Sequence, residues 1–301
     1  MSTLTIFVLC HNRPDFARQT LFSILKQSDC NFDLVVSDNS SNNEVEQMVK
    51  SNFAHLEYRR RIPMLSVIEH LNRCIDEAQS DYFCLFHDDD IMLPDFVRCL
   101  RSVLEENQKA IACGCNALLE THGKVQSRFM FRALGKLEWI TLPRDLARRY
   151  FARAQSGIAP FPGYVYRTSA IGKLRIDTEG GKHSDVSWLL NIVMKGPVVW
   201  VAKPLMIYRV HGSNDSGVES LRDQLRFMGY LKQNLAVIGK DVLTDFRRSR
   251  IYKPILRNQH SSRFRKIQAK NFLKHYNWLR YTNIHSYGAL LRHALIKLAD
   301  K

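Results

Sequence analysis

The first 120 residues alternate short apolar runs with apolar residues at helical spacing. Runs of strand length cover residues 5–10, 32–37 and 82–86. Between and after these runs, apolar residues recur every three or four positions, as on the inner face of an amphipathic helix, within residues 14–25, 45–49, 65–78 and 94–104. This alternation predicts an α/β fold with a doubly wound, mostly parallel sheet.

Each of the three apolar runs ends in a cluster of polar residues. The clusters are His11-Asn12-Arg13, Asp38-Asn39 and Asp88-Asp89-Asp90. Ligands of open parallel sheets bind beyond the carboxyl ends of the strands, so we expect the three clusters to line one crevice.

The acidic cluster carries the clearest chemistry. Three consecutive carboxylates repel one another unless their pKa values rise or a cation binds them. Mg²⁺ and Mn²⁺ prefer oxygen ligands and often combine one or two carboxylates with substrate phosphates. A cation held here would stabilise a departing nucleotide diphosphate. The plainer alternative is a solvated acidic turn before a helix that begins near Pro94.

The residues around these clusters resemble glycosyltransferase family 2, whose members are inverting enzymes of the GT-A fold. The resemblance lies in residues 5–14, 34–40, 86–95 and 204–216, and it covers roughly residues 4–216. It implies a Rossmann-like GT-A sheet and transfer of a sugar from a nucleotide-diphosphate sugar, with a UDP-sugar as the expected donor. A divalent cation, Mn²⁺ or Mg²⁺, is the expected cofactor, and bacterial surface polysaccharide or lipid-linked glycan synthesis is the expected setting.

The resemblance also implies roles for single positions. Leu9, His11, Asn12 and Arg13 would border the nucleotide, as would Asp38, Asn39 and Asp88. Asp89 would ligate the metal with Asp88 and Asp90, and His211 would close over the metal or the diphosphate from the far side. Two positions depart from the family pattern, because Ser37 and His87 stand where many members carry acids.

Direct displacement at a sugar carbon needs a base on the acceptor hydroxyl. The family places this base on a helix after the acceptor loops, and Asp185 matches that position, with Asp177 and Glu179 as rivals. A carboxylate is also stabilised at a helix N-terminus, so an ordinary capping Asp is the alternative for Asp185.

Two further residues are candidates for the acceptor side. Trp188 has the ring to stack on a sugar, although a core position explains it equally well. Gly163 would permit close approach of an acceptor to the backbone, or it is an ordinary turn glycine. Residues 121–165 hold turn residues and a basic helix near residues 142–153, and we expect loops beside the acceptor in this stretch.

The net charge of +15 is unevenly distributed. Residues 1–218 hold 26 basic and 24 acidic residues, whereas residues 219–301 hold 18 and 5. We therefore predict a catalytic domain over residues 1–218 and a basic helical C-terminal region over residues 219–301, here called the basic tail.

The basic tail interleaves arginine and lysine with aromatic residues, and residues 284–298 form an apolar stripe. These features are typical of a helix on an anionic membrane surface, which suits a lipid-linked acceptor. A solvated basic face is the alternative, and nucleic acid is not expected as a partner because no RNA-binding motif is visible.

The competing function is a non-catalytic, basic anion-binding protein on an α/β scaffold. The oligomeric state is left open.

Seven cysteines occur without a CxxC pair, which predicts buried reduced thiols in a cytosolic protein. We find no secretory leader and no apolar stretch near the ~18 residues that a membrane span needs. The expected location is therefore the cytoplasm, with peripheral binding to the inner face of the plasma membrane as an option.

Overall fold

A ten-stranded sheet forms the centre of the structure. The computed structural model describes residues 2–133, 135–151, 161–212 and 220–282, and the side chains of these residues apart from 221 and 276–282. The predicted α/β class and the mostly parallel sheet are confirmed.

The first four strands pair in parallel in the order β3-β2-β1-β4. They are β1 (Leu4–Cys10), β2 (Asp33–Asp38), β3 (Glu57–Arg60) and β4 (Tyr82–His87). The register sets Cys10 beside Asp38 and Leu9 beside His87. The three apolar runs therefore end level with one another, at one edge of the sheet.

The other strands include the antiparallel members of the sheet. They are β5 (Ile91–Met92), β6 (Ala112–Thr121), β7 (Lys124–Phe129), β8 (Leu137–Ile140), β9 (Tyr164–Arg167) and β10 (Val198–Val210). β9 lies antiparallel between β4 and β6, and β10 is parallel to β6 and antiparallel to β5 and β8. The basic helix expected near residues 142–153 is present at Pro143–Phe151. The expectation of loops over residues 121–165 is wrong in part, because β7 and β8 also lie in that stretch.

Helices cover both faces of the sheet. They are α1 (Pro14–Ile24), α2 (Glu44–Asn52), α3 (Val67–Glu77), α4 (Phe96–Glu106), α5 (Pro143–Phe151), α6 (Thr168–Ile171) and α7 (Ser184–Lys195). Successive side chains of a strand point to opposite faces, so Ile6 and Val8 pack with α1, α2 and α4, whereas Phe7 and Leu9 pack with α3, α5 and α7.

The described part of the basic tail is helical. It contains α8 (Leu221–Gln233), α9 (Leu235–Ile238), α10 (Lys240–Phe246), a π-helical segment (Arg247–Tyr252), α11 (Lys253–Arg257) and α12 (Arg263–Thr282). Phe227 and Phe246 join the same buried cluster as Phe151 and Trp188. The composition therefore changes near residue 218 without a break in the core, and the predicted apolar stripe at 284–298 lies outside the described residues.

The cysteine and membrane expectations can be compared with the described residues. All seven cysteines are free thiols, and five are buried, while Cys30 is exposed and Cys99 is half-buried. Within the described ranges, none of the helices combines the length and apolar character that a bilayer crossing requires.

Candidate active site

The polar ends of β1, β2 and β4 meet at one edge of the sheet, here called the donor edge (residues 11–13, 38–40 and 87–90). The backbone N–H of His11 donates to Oδ2 of Asp88 over 2.9 Å. The Nδ1 atom of His11 lies 2.8 Å from the carbonyl oxygen of Asn39. The structure thus brings together the three clusters that the strand pattern placed on one crevice.

A tight turn aims the Arg13 side chain into the acidic cluster. Asn12 adopts a φ of 52°, a left-handed conformation that asparagine tolerates better than most residues. Its N–H donates to Ser40 Oγ over 2.8 Å. The Arg13 guanidinium then reaches two carboxylates, with Nη2 2.5 Å from Asp88 Oδ1 and Nη1 2.5 Å from Asp89 Oδ2.

The acidic cluster is buried rather than solvated. Asp88, Asp89 and Asp90 are 0%, 5% and 1% exposed. The hydroxyl of Thr20 on α1 lies 2.7 Å from the carbonyl oxygens of both Asp88 and Asp90, which fixes the turn against the helix. The alternative of a plain solvated turn is therefore wrong.

Burial changes the proton affinity of two of these carboxyls. It raises the pKa of Asp88 to about 7, although the Arg13 charge and the His11 N–H oppose the shift. It also raises the pKa of Asp90 well above its ordinary value, and the neighbouring charge of Asp89 adds to the effect. A bound cation would favour the ionised form of both groups.

Three side chains at the donor edge could hold a divalent cation. His87, Asp89 and Asp90 each offer a ligand atom, and these atoms lie within 4.8 Å of one another. Oδ1 of Asp90 accepts a hydrogen bond from the Arg209 N–H over 3.0 Å, whereas its buried Oδ2 has no hydrogen-bond partner among the described residues. The two carboxylates supply the oxygen ligands that Mn²⁺ and Mg²⁺ prefer, and we call these three side chains the cation cluster.

The cation cluster differs from the predicted set of Asp88, Asp89, Asp90 and His211. The Asp88 carboxylate faces the turn after β1, where Arg13 and the His11 N–H hold it. His87 takes its place in the group, although the sequence marked this residue only as a departure from the family pattern. Its position directly before the acidic run was the available signal.

His211 reaches the acidic cluster from the end of β10. Its Nε2 atom lies 3.1 Å from Asp89 Oδ2, and its ring stacks on Phe16 at 4.3 Å. The sequence analysis missed Arg209, which lies beside His211 on the same Phe16 ring. Its guanidinium is 4.7 Å from the ring centroid, and its Nε donates to the carbonyl oxygen of Asp89. His211 is thus a neighbour of the cation cluster through Asp89.

The Asp38 carboxylate is fully buried at the donor edge. Tyr58 Oη donates to its Oδ2 over 2.6 Å, and Arg60 Nη1 does so over 2.7 Å. The N–H of Ser40 donates to its Oδ1 over 2.9 Å. Tyr58 and Arg60 lie on β3, which sequence reasoning missed because a short, charged edge strand looks like a polar loop.

Three residues near Asp38 have structural roles. The Asn39 side chain bonds both the N–H and the carbonyl of Leu65, which fixes the loop before α3. Ser37 Oγ lies 2.7 Å from His70 Nε2, beneath the edge, and burial lowers the pKa of His70 to about 4. The side chain of Leu9 lies in the core, so this residue can border a ligand only through its backbone.

Asp185 lies in the first turn of α7 and is half-buried. Burial raises the pKa of its carboxyl above the ordinary value, while the His183 charge and the N–H groups at the start of the helix oppose the shift. Burial raises the pKa of the half-buried Tyr150, and the negative charge of Asp185 adds to that shift. The rival Asp177 instead accepts hydrogen bonds from Asn191 and from the Glu179 N–H.

The two acceptor candidates have different surroundings. Trp188 is 0% exposed and packs edge-on against Tyr166, with 5.8 Å between the ring centroids. Its predicted stacking on a sugar is therefore corrected to a core position. Gly163 is buried in a short 3-10 turn with Phe161, whose ring centroid lies 5.8 Å from that of His87. This turn thus passes beside the cation cluster.

Comparisons with known proteins agree with the α/β fold. The profile of the family described as Glycosyl transferase family 2 matches residues 5–171. The structure of S. aureus TarS 1–349 with UDP aligns with a TM-score of 0.57 at 13% identity, over 92% of this chain and 91% of that chain. Its complex with UDP-GlcNAc aligns with a TM-score of 0.54 at 12% identity, over 84% and 81% of the two chains.

A longer S. aureus TarS structure aligns with a TM-score of 0.55 at 13% identity over 83% of this chain, which spans 46% of that chain. At these identities, the alignments show a shared fold. A search of curated protein sequences found no match.

Proposed function

Since the chain belongs to glycosyl transferase family 2, we propose that it transfers a sugar from a nucleotide-diphosphate sugar to an acceptor hydroxyl. One observation carries this proposal: the cation cluster lies at the same sheet edge as the buried Asp38 and the Arg13 guanidinium. A nucleotide base, its diphosphate and a bound cation need hydrogen-bonding, basic and acidic side chains next to one another. The competing idea of a non-catalytic anion-binding protein leaves this buried acidic edge without a purpose.

The donor binds along the donor edge. We assign the base and ribose to the side of Asp38, Asn39 and His11. The buried Asp38 and Asn39 side chains fix the loops there, and the exposed His11 imidazole lies beside them. Asn12 and the backbone of Leu9 complete this side. The TarS complexes with UDP and UDP-GlcNAc support a uridine donor, because their fold resembles that of this chain.

The diphosphate lies nearer to the acidic cluster. His87, Asp89 and Asp90 would hold Mn²⁺ or Mg²⁺, which would neutralise the charge that develops on the leaving diphosphate. Asp88 holds Arg13 in place, and Arg13 and His211 bring further positive or hydrogen-bonding groups to the same point. These side chains exclude water from the carboxylates, so electrostatic interactions here are strong.

Asp185 acts as the general base on the acceptor hydroxyl. Its raised pKa makes it a better proton acceptor than an ordinary carboxylate, provided that it remains ionised at the working pH. The turn with Gly163 would border the acceptor. Attack by the activated hydroxyl from the face opposite the leaving diphosphate inverts the configuration at the anomeric carbon.

The acceptor is proposed to be a glycan or a lipid-linked glycan of a bacterial surface polysaccharide, used at the cytoplasmic face of the membrane. Support comes from the basic tail, where α12 exposes Phe264 and Ile267 (68% and 48%) among basic residues. Basic and apolar groups on one helix are suited to an anionic bilayer surface.

Screening nucleotide sugars for hydrolysis and transfer with Mn²⁺ tests the proposed reaction. We expect a UDP-sugar to be consumed and the product to have inverted anomeric configuration, as read by NMR. A retained configuration would contradict direct displacement. Failure to bind or consume any nucleotide sugar would favour the anion-binding alternative.

A further inference from the structure

Arg13 makes contacts that go beyond nucleotide binding. We propose that Arg13 is a built-in counter-cation, which holds both Asp88 and Asp89 in the metal-free protein and releases Asp89 when a divalent cation binds. This inference rests on the metal site in the proposed function.

The guanidinium of Arg13 occupies the place that a bound cation would take beside two carboxylates. One guanidinium nitrogen lies 2.5 Å from Asp88, and the other lies 2.5 Å from Asp89. The side chains of these two acids are only 0% and 8% exposed, and that of Arg13 is 18% exposed. Two buried carboxylates side by side are costly without a counter-ion, so the fork stabilises the metal-free fold.

Only one of the two carboxylates belongs to the cation cluster. Asp89 Oδ2 is a shared atom, because both Arg13 Nη1 and His211 Nε2 lie within 3.1 Å of it. A cation held by this carboxylate would lie close to the guanidinium, because Arg13 Nη1 is only 2.5 Å from Asp89 Oδ2, and like charges repel strongly at such short range. Asp88 does not belong to the cation cluster, so it can keep its half of the fork.

The backbone around Arg13 is anchored, so the exchange needs only a side-chain movement. The Asn12 N–H bonds Ser40 Oγ, the Asn12 amide oxygen accepts from the Ser41 N–H over 3.0 Å, and the His11 N–H bonds Asp88. A guanidinium that pivots about Asp88 leaves Nη1 available to an oxygen of the donor diphosphate. The cation and the diphosphate would then enter cooperatively.

Competition and positioning predict opposite effects of removing Arg13. If Arg13 competes with the cation for Asp89, its loss raises the affinity of the site for the cation, because the cation no longer has to displace the guanidinium. If Arg13 only orients Asp89 for the metal, its loss lowers that affinity.

The test measures Mn²⁺ binding to the full-length protein without nucleotide, by electron paramagnetic resonance of free Mn²⁺. We expect Arg13→Gln to bind Mn²⁺ at least ~5-fold more tightly than the native protein. The matched control is Arg18→Gln on α1, the helix that follows Arg13. Arg18 pairs with exposed Asp15 over 3.0 Å, and the variant should bind like the native protein. Equal or weaker binding by Arg13→Gln overturns the proposal.

A second measurement on the native protein does not depend on a variant that folds. Phenylglyoxal modifies accessible arginines, and mass spectrometry locates the modified residue. We expect saturating Mn²⁺ to speed the modification of Arg13 and to leave Arg18 unchanged. An unchanged or slower rate at Arg13, with Mn²⁺ bound, refutes its release, while the proposed metal site stands. If native protein and Arg13→Gln both bind no Mn²⁺, the metal site and this inference fail together.

Discussion

The donor edge and the basic tail handle charge in opposite ways. At the donor edge, charged groups are buried and paired at short range, as in Arg13 with Asp88 and Arg60 with Asp38. On α12 of the basic tail, Arg263 and Lys270 are exposed to solvent. The first arrangement suits a small anionic ligand in one fixed position, and the second suits a broad anionic surface.

The contrast sets the size of the expected mutational effects. Removing one member of a buried charged group leaves its partner without compensation, which typically costs several kcal/mol. An exposed charge is screened by water and salt and contributes about 1 kcal/mol or less. Substitutions at the donor edge should therefore have far larger effects than charge changes on the tail.

The largest effect is expected at the cation cluster. Asp89→Ala removes a member of the cation cluster that is also a partner of both Arg13 and His211. We expect kcat/KM for sugar transfer to fall by ~10³-fold, since cation stabilisation of the leaving group is worth several kcal/mol. Asp88→Ala should be nearly as harmful, because Arg13 loses its anchor. Initial rates with a UDP-sugar and Mn²⁺ measure both effects.

A nearby acid provides the control for this change. Asp95 lies five positions after Asp90 in the sequence and forms surface ion pairs with Arg98 and Lys203 at 2.7 and 2.8 Å. Asp95→Asn should keep nearly full activity. A full rate for Asp89→Ala would remove the functional distinction between the donor edge and an ordinary acidic surface.

The next effect tests whether the start of the tail belongs to the core. Phe227→Ala should lower the free energy of unfolding by ~3–5 kcal/mol, because Phe227 is fully buried against Phe151 and Phe246. Urea unfolding measures it, with Val237→Ala as a control at a 46% exposed site on α9. A loss below ~1 kcal/mol would show that α8 and α10 fold as a separate cap rather than as part of the core.

Asp185→Asn separates chemistry from donor binding. We expect kcat to fall by ~10²-fold or more while UDP binding stays nearly unchanged, because the proposed role of Asp185 is to take the proton of the acceptor hydroxyl. Asp177→Asn is the matched control. Asp177 accepts a hydrogen bond from Asn191, which lies on α7 as Asp185 does. Greater damage from Asp177→Asn than from Asp185→Asn would reverse the assignment.

The pH dependence sharpens the same assignment. A general base works in its ionised form, and burial raises the pKa of Asp185 above its ordinary value. The rate should therefore fall, as pH is lowered, at a higher pH than the ~3.9 of an ordinary aspartate. The acid limb of kcat against pH should disappear in Asp185→Asn. A limb that persists unchanged in the variant belongs to another group.

The smallest effect is expected on the basic tail. Lys266→Gln with Lys270→Gln should weaken binding to anionic vesicles by roughly fivefold per charge, since each basic residue near an anionic leaflet contributes about 1 kcal/mol. Lys124→Gln with Arg128→Gln on exposed β7 is the charge-matched control. Vesicle cosedimentation at low and high salt measures the change. Equal binding to neutral vesicles, or none to either kind, would favour a solvated basic face.

The donor edge could be predicted because its signals are local. A strand followed by polar residues is visible in the sequence, and the parallel register then brings Cys10, Asp38 and His87 to the same level. The partners of those groups could not be predicted in this way. Arg209 meets Asp89 across 120 residues, and β3 resembles a polar loop.

The tail and the acceptor side were harder to predict, for a different physical reason. Charge composition showed where the chain becomes basic, but it carries no information on which aromatic residues turn inward. Phe227 contacts His183 just before α7, with 4.8 Å between the ring centroids, and this contact depends on the whole fold. Trp188 illustrates the same limit, because one aromatic residue suits a core and a sugar site equally well until its neighbours are known.

Calorimetric titration of UDP into the full-length protein, with Mn²⁺ and then with excess chelator, tests the central claim most directly. If the cation cluster holds a cation beside the diphosphate, UDP should bind clearly with Mn²⁺. The affinity should then fall by at least ~tenfold when the cation is removed. The same affinity in chelator, or no binding under either condition, would contradict a metal-assisted nucleotide-sugar site at the donor edge.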